Sequence, residues 1–135
     1  MRFRSTRGGN SVSFCEAVAQ GLAPDGGLYL PEEFPDLSQK INEWEDLDYP
    51  SLCIEFFRYF ATDLPSADLE SCVNSAYAGF TNNQTAPLID LGDHWKCLEL
   101  FHGPTLAFKD FALQLLGNFY EVQIAREEKP LCILG

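Results

Sequence analysis

The order of patterns in the last third of the chain constrains the fold most. Lys96-Cys-Leu-Glu-Leu-Phe101 alternates in part and suits a strand. His102-Gly-Pro-Thr105 is a tight connector, in which Pro104 cannot donate to a ladder and Gly103 is open to angles other residues avoid. Phe108, Phe111, Ala112, Leu115, Leu116 and Phe119 then recur at helical spacing. The run Glu127-Glu-Lys-Pro130 ends that helix, and Leu131-Cys-Ile-Leu134 is an apolar run suited to a buried strand. Strand, helix and buried strand in succession predict a right-handed βαβ unit and a parallel sheet. Two parallel strands and one crossover cannot bury both faces of such a sheet. The expected class is therefore α/β, with residues 86–135 as the incomplete opening of a larger domain.

Residues 1–85 read as a small helical unit with a short hairpin. Ser13-Phe-Cys-Glu16 has capping-box spacing, which predicts a helix over Phe14–Gln20 with Gly21 at its stop. Ala23-Pro-Asp-Gly-Gly27 is a turn signal before the short strand Leu28-Tyr-Leu30, closed by Pro31. Residues 31–50 are mixed and rich in Pro, Asp and Glu, as expected of a surface connection. From Ser51, the residues Leu52, Phe56, Phe57 and Phe60 make one apolar helical face. Leu64-Pro65 breaks it, and Ser66 is expected to cap a second helix carrying Leu69, Cys72, Val73, Ala76, Tyr77 and Phe80. A polar linker at 81–87 leads to the extended segment Leu88-Ile-Asp-Leu91.

Composition narrows the function classes. With 46% hydrophobic and 21% charged residues the balance is that of a soluble globular protein. A formal net charge of -11 argues against nucleic acid or an anionic membrane as partner, since both need a basic surface. No stretch approaches the length of a membrane span, and no apolar core follows the basic Met1-Arg-Phe-Arg-Ser-Thr-Arg7 as a secretory signal requires. The five cysteines, Cys15, Cys53, Cys72, Cys97 and Cys132, are scattered and form no CxxC pair. That pattern reads as reduced, buried thiols of a cytoplasmic protein, with no metal site.

Lys109 is the residue with the strongest chemical case. It falls at the start of the predicted fourth helix, where the macrodipole disfavours a cation. Leu106, Ala107, Phe108 and Phe111 surround it in sequence, and apolar surroundings favour the neutral amine that imine chemistry needs. The alternative is a solvated charge. Asp110 in a first helical turn is favoured on structural grounds alone. Phe108 and Phe111 wall a site or pack the helix. His102 contacts a ligand or braces its loop, and His94 beside Trp95 has no role beyond surface or packing.

The run Glu99-Leu-Phe-His-Gly-Pro-Thr-Leu-Ala-Phe-Lys-Asp-Phe111 resembles the cofactor-attachment motif of threonine synthases, enzymes that use pyridoxal 5'-phosphate. A second stretch is similar to that family's N-terminal signature: Ser5-Thr-Arg-Gly8, Ser13-Phe, then Gln20-Gly-Leu-Ala-Pro-Asp-Gly-Gly-Leu-Tyr-Leu-Pro31. The Phe-Lys-Asp core alone is shared with related enzymes such as threonine dehydratases; the His-Gly-Pro-Thr-Leu-Ala context and the Asp-Gly-Gly-Leu segment narrow it.

The resemblance implies a fold type II architecture, with residues 1–85 as the family's N-terminal domain and 86–135 as the start of its catalytic domain. It implies that Lys109 carries the cofactor and moves protons at Cα and Cβ, with Phe108 and Asp110 on the cofactor side and His102 on the substrate side. The substrate would be O-phospho-L-homoserine: phosphate leaves Cγ, water adds at Cβ, and L-threonine is released by a monomer or homodimer in the cytoplasm. The family's Ser/Thr- and Gly-rich carboxylate loop and its later phosphate-gripping loop do not occur in these 135 residues. Residues 1–135 alone are thus expected neither to hold the cofactor tightly nor to turn over substrate. The rival readings are a phospholyase-like or dehydratase relative of the same fold type, and a non-catalytic interaction module.

Overall fold

A computed structural model describes residues 1–127. The apolar run at 131–134, and with it the second strand of the expected βαβ unit, lies outside the described residues, as does Cys132.

Helix α1 (Phe14–Gln20) forms where its caps demand it. Ser13 is extended, its hydroxyl accepts from the Glu16 N–H at 3.3 Å, and the Ser13 N–H donates to Glu16 Oε2 at 2.7 Å. Asp63 reaches across from another loop and accepts from the N–H groups of Phe14 and Cys15 at 3.2 and 3.0 Å. Several donors orphaned at the helix start are thus satisfied.

Around α1 runs a three-stranded antiparallel sheet in the order β2-β1-β3, made of β1 (Phe3–Ser5), β2 (Gly8–Val12) and β3 (Tyr29–Pro31). Phe3 faces Val12 on one side and Pro31 on the other. The short hairpin expected in this part of the chain is therefore widened by a third strand. The connection at 31–50 holds the one-turn helix α2 (Ile41–Trp44). Helix α3 (Tyr49–Phe60) starts ahead of Ser51, because Asp48 accepts from the Ser51 N–H at 2.9 Å and Pro50 fits the first turn.

Helix α4 (Ser66–Tyr77) corrects one expectation. Pro65, not Ser66, is its N-cap, and no side chain caps it. Ser66 already has a place within the helix, so its hydroxyl is not presented to the orphan donors as a cap residue's would be. Leu69, Cys72, Val73, Ala76 and Tyr77 form the expected buried face, but Phe80 lies past the end of the helix and is half-buried.

The strand expected at 96–101 is β5 (Trp95–Leu98), and its partner among the described residues is antiparallel β4 (Leu88–Gly92). Asp93 and His94 close this hairpin at φ +46° and +66°, the mirror-image turn that matches strand twist. Both strands are exposed along their whole length, including Cys97, which was expected to be buried.

Helix α5 (Asp110–Glu127) packs on α4 and α1. Its Phe119 meets the edges of Phe14 and Phe57 at 5.5 and 5.8 Å, and Phe14 also touches Phe3. One turn-set earlier, Phe111 sits among Tyr49, Tyr77 and Phe80 with centroids 5.3, 6.3 and 5.0 Å away. These two aromatic clusters fix the start and the middle of α5 against the N-terminal helices.

Candidate active site

Lys109 occupies the N-cap position of α5, one residue before the helix proper, and its carbonyl accepts from Leu113 N at 2.9 Å and Ala112 N at 3.2 Å. Its backbone is thus fixed by the helix while its side chain is exposed. Among the described residues no hydrogen bond or ion pair engages the amine. Leu106 and Phe108 lie on the same loop but are 69% and 66% exposed, so the described residues do not desolvate the lysine as its sequence neighbours suggested. Phe108 and Phe111 now separate: Phe111 packs the helix, whereas Phe108 projects outward beside Lys109.

Asp110 turns the opposite way. It is only 2% exposed, and its carboxylate accepts from the Thr105 N–H at 2.9 Å (Oδ2) and the Thr105 hydroxyl at 2.8 Å (Oδ1). Burial works against its ionisation, but the bonds from Thr105 and the peptide groups around it outweigh burial and hold its pKa below the ordinary carboxylate value. Gly103 lies against this carboxylate so closely that an added Cβ would stand 2.5 Å from both Asp110 Cβ and Oδ2. Here glycine is required by close approach rather than by its angles. Leu106, whose N–H donates to the Gly103 carbonyl at 3.1 Å, takes φ +59°, a conformation costly for a leucine.

His102 is half-buried, with Nε2 2.7 Å from Glu99 Oε2 and its ring 4.7 Å from that of Phe101. Its carbonyl accepts from the Thr81 N–H at 2.9 Å. The contacts present are those of a loop brace. His94 belongs to the β4–β5 turn.

The loop is anchored at its far end too. Tyr77 Oη donates to the Phe111 carbonyl at 3.0 Å from within the core, and the Cys53 thiol donates to Tyr77 Oη at 3.9 Å. Burial pushes the Tyr77 phenol far above its ordinary pKa, so it stays a neutral donor. Thr105, Glu99 and Tyr77 hold this loop in ways their places in the sequence do not show, Tyr77 reading there only as part of an apolar helical face. Only the Glu99–His102 spacing carried a local cue; the other two pairings depend on how the loop folds back.

The Asp-Gly-Gly-Leu segment forms a separate polar joint. Asp25 Oδ1 accepts from the Ser5 hydroxyl at 2.6 Å and the Gly27 N–H at 2.9 Å, and Leu28 N–H donates to Thr6 Oγ1 at 3.1 Å. A Cβ on Gly27 would collide with Ser5 Oγ. The Ser5 bond, then that from Gly27, lowers the Asp25 pKa. This joint ties β1 to the turn before β3.

An exposed primary amine that no described residue engages, on a backbone held by the helix start, is suited to covalent attachment of a carbonyl group. Among the described residues no cluster of three or more His, Cys, Asp or Glu is arranged for a metal, and no helix is long and apolar enough to cross a membrane.

Comparison with known proteins bears on this site. The family profile described as threonine synthase N terminus matches residues 2–77. Threonine synthase of Schizosaccharomyces pombe is 43% identical over 129 residues, 93% of this chain and 25% of that protein. The Pseudomonas aeruginosa threonine synthase is 42% identical, covering 100% of this chain and 29% of its own length. Threonine synthase-like 2 of Xenopus laevis is 33% identical over 99% of this chain and 29% of its own. The crystal structure of PLP-bound threonine synthase from Brucella melitensis superposes with a TM-score of 0.91 at 38% identity, over 96% of this chain and 28% of that one. The yeast enzyme's structure gives 0.86 at 38%, over 97% and 28%. The chain thus spans between a quarter and three-tenths of the length of these relatives.

Proposed function

Since the chain belongs to the threonine synthase family, we propose that the protein carrying it is a pyridoxal-phosphate-dependent lyase that converts O-phospho-L-homoserine and water to L-threonine and phosphate. The observation that carries this reading is Lys109: an exposed amine without a described partner, on a loop fixed at both ends, inside the run Phe108-Lys-Asp110. Residues 1–85 would then be the family's N-terminal domain and 86–135 the opening of its catalytic domain. The profile match ending at residue 77 supports that division.

The residues present fit the cofactor. Lys109 offers the one functional group its aldehyde requires, and the helix holds that group in place without competing for it. When bound, pyridoxal phosphate supplies an electron sink for the carbanions at Cα and Cβ. Lys109 would hold the cofactor at rest and, once displaced by substrate, carry protons between Cα and Cβ. Phe108 would lie along the cofactor through its exposed ring, and Asp110 borders the same junction from the buried side. His102, oriented by Glu99, stands where the loop begins and would face the substrate phosphate. The scattered cysteines support a reducing compartment, and we place the enzyme in the cytoplasm as a monomer or homodimer.

Relatives named threonine synthase run from 35% to 43% identity, against 33% and 35% for the threonine synthase-like 2 of Xenopus laevis and Pongo abelii, and this difference in upper range favours the synthase over a phospholyase-like activity. Product analysis decides between them. The enzyme expressed from its complete reading frame should turn O-phospho-L-homoserine into equal amounts of threonine and phosphate. Release of phosphate with 2-oxobutanoate in place of threonine would contradict the proposal.

A further inference from the structure

We infer that Thr105 and Asp110 are a positioning pair, which clasps the loop at 103–109 shut and so aims Lys109 outward from the start of α5. The inference rests on Lys109 being the cofactor-attachment residue. Both Thr105 donors, backbone N–H and hydroxyl, end on the two oxygens of one carboxylate, at 2.9 and 2.8 Å. The carboxylate is buried, and among the described residues no cation is paired with it. A buried anion without a counter-charge is retained only where hydrogen bonds satisfy it, and Thr105 supplies two of them.

The clasp also explains features that are otherwise unrelated. Gly103 has no space for a Cβ because the Asp110 side chain occupies it. Leu106 accepts a left-handed conformation because the chain must reverse between Gly103 and Ala107, whose carbonyl takes the Asp110 N–H at 3.0 Å. The side chains of Lys109 and Asp110 differ sharply in exposure, so drawing Asp110 into the loop leaves Lys109 directed to solvent. Thr81 on the His102 carbonyl and Tyr77 on the Phe111 carbonyl secure the two ends, which leaves the clasp to set the path between them. Asp110 therefore acts through backbone geometry rather than through contact with the cofactor.

The test uses the enzyme expressed from its complete reading frame and stripped of cofactor. Pyridoxal phosphate is added, borohydride quenches the mixture at successive times, and peptide masses report attachment at Lys109. Thr105→Val keeps the shape and the N–H but removes the hydroxyl. It should slow attachment on the order of 10–100-fold, as small misplacements of a reacting group do, with an unaltered circular dichroism spectrum. Thr105→Ser restores the hydroxyl and should return the rate to within about threefold of wild type, since side-chain shape is not what matters. Asp110→Asn can still accept from the N–H and donate to the hydroxyl, so it should stay near wild type while Asp110→Ala matches Thr105→Val. If Thr105→Val does not fold, the two Asp110 variants decide. A wild-type rate in folded Thr105→Val, equal loss in Thr105→Ser, or equal loss in Asp110→Asn and Asp110→Ala would overturn the inference. Attachment to another lysine in the wild type would remove the proposed function as well.

Discussion

A single glycine shows how tightly the lysine loop is drawn. Gly103 is buried against Asp110, and a methyl group there would need the carboxylate to give way by the better part of an ångström. Gly103→Ala should destabilise the protein by about 1–3 kcal/mol, the usual range for overpacking, and shift the chemical-denaturation midpoint accordingly. An unchanged midpoint would mean that the loop has slack. The local motif made Lys109 legible, because its neighbours in sequence are also its frame in space. Thr105 was not legible, since nothing in a Pro-Thr-Leu run shows that the chain will double back onto an aspartate five residues later. The apolar setting inferred from Phe108 and Leu106 also differs from what the fold provides: both side chains point to solvent. Adjacency in sequence does not establish enclosure.

Helix α1 is the element most strongly determined by its ends. Ser13 and Glu16 cap it reciprocally, and Asp63 binds two further N–H groups from outside. Ser13→Ala should cost about 1 kcal/mol of stability in denaturant titrations. Asp63 adds a pH dependence. Burial disfavours its charge, but the bonds from Cys15 and Ser13 prevail and its pKa is lowered in the fold. The contribution is therefore fully present above the unfolded-state value of about 3.9 and is lost as pH falls below it through the lowered folded value. Asp63→Asn should flatten the stability curve in that acid window and leave its slope above pH ~5 unchanged; a slope change confined to neutral pH would exclude this role. The capping box was readable because its two residues lie three apart. The long-range cap, 48 residues away, was not. The β4–β5 hairpin was hard to read for a related reason: its two central turn residues, Asp93 and His94, adopt positive φ, and the glycine at the turn, Gly92, stands just before them rather than between them. Ser66 shows the converse error, a cap residue in type that falls one place inside the helix.

Across the whole molecule, the N-terminal sheet, the helices and the lysine-bearing helix share one aromatic core. Phe14, Phe57 and Phe119 come from three separate elements and meet edge to face. Phe119→Ala should cost about 3–5 kcal/mol, and the loss should appear in a single cooperative transition; separate melting of the N-terminal part would show that α5 is not integral to it. The α/β class and the order of most elements could be read from periodicity and turn residues. The joining of distant aromatics could not, because spacing says which face is apolar but not which face it meets. Within that frame the contacts of the loop at 103–111 place one amine. The most direct test is to reduce the cofactor-loaded enzyme, expressed from its complete reading frame, with borohydride and map the modified peptide. The structure leads us to expect pyridoxyl phosphate on Lys109 of the wild type and none on Lys109→Ala, whose fold should be intact because the side chain is exposed. A wild-type label on any other residue, or a label retained in Lys109→Ala, would contradict it.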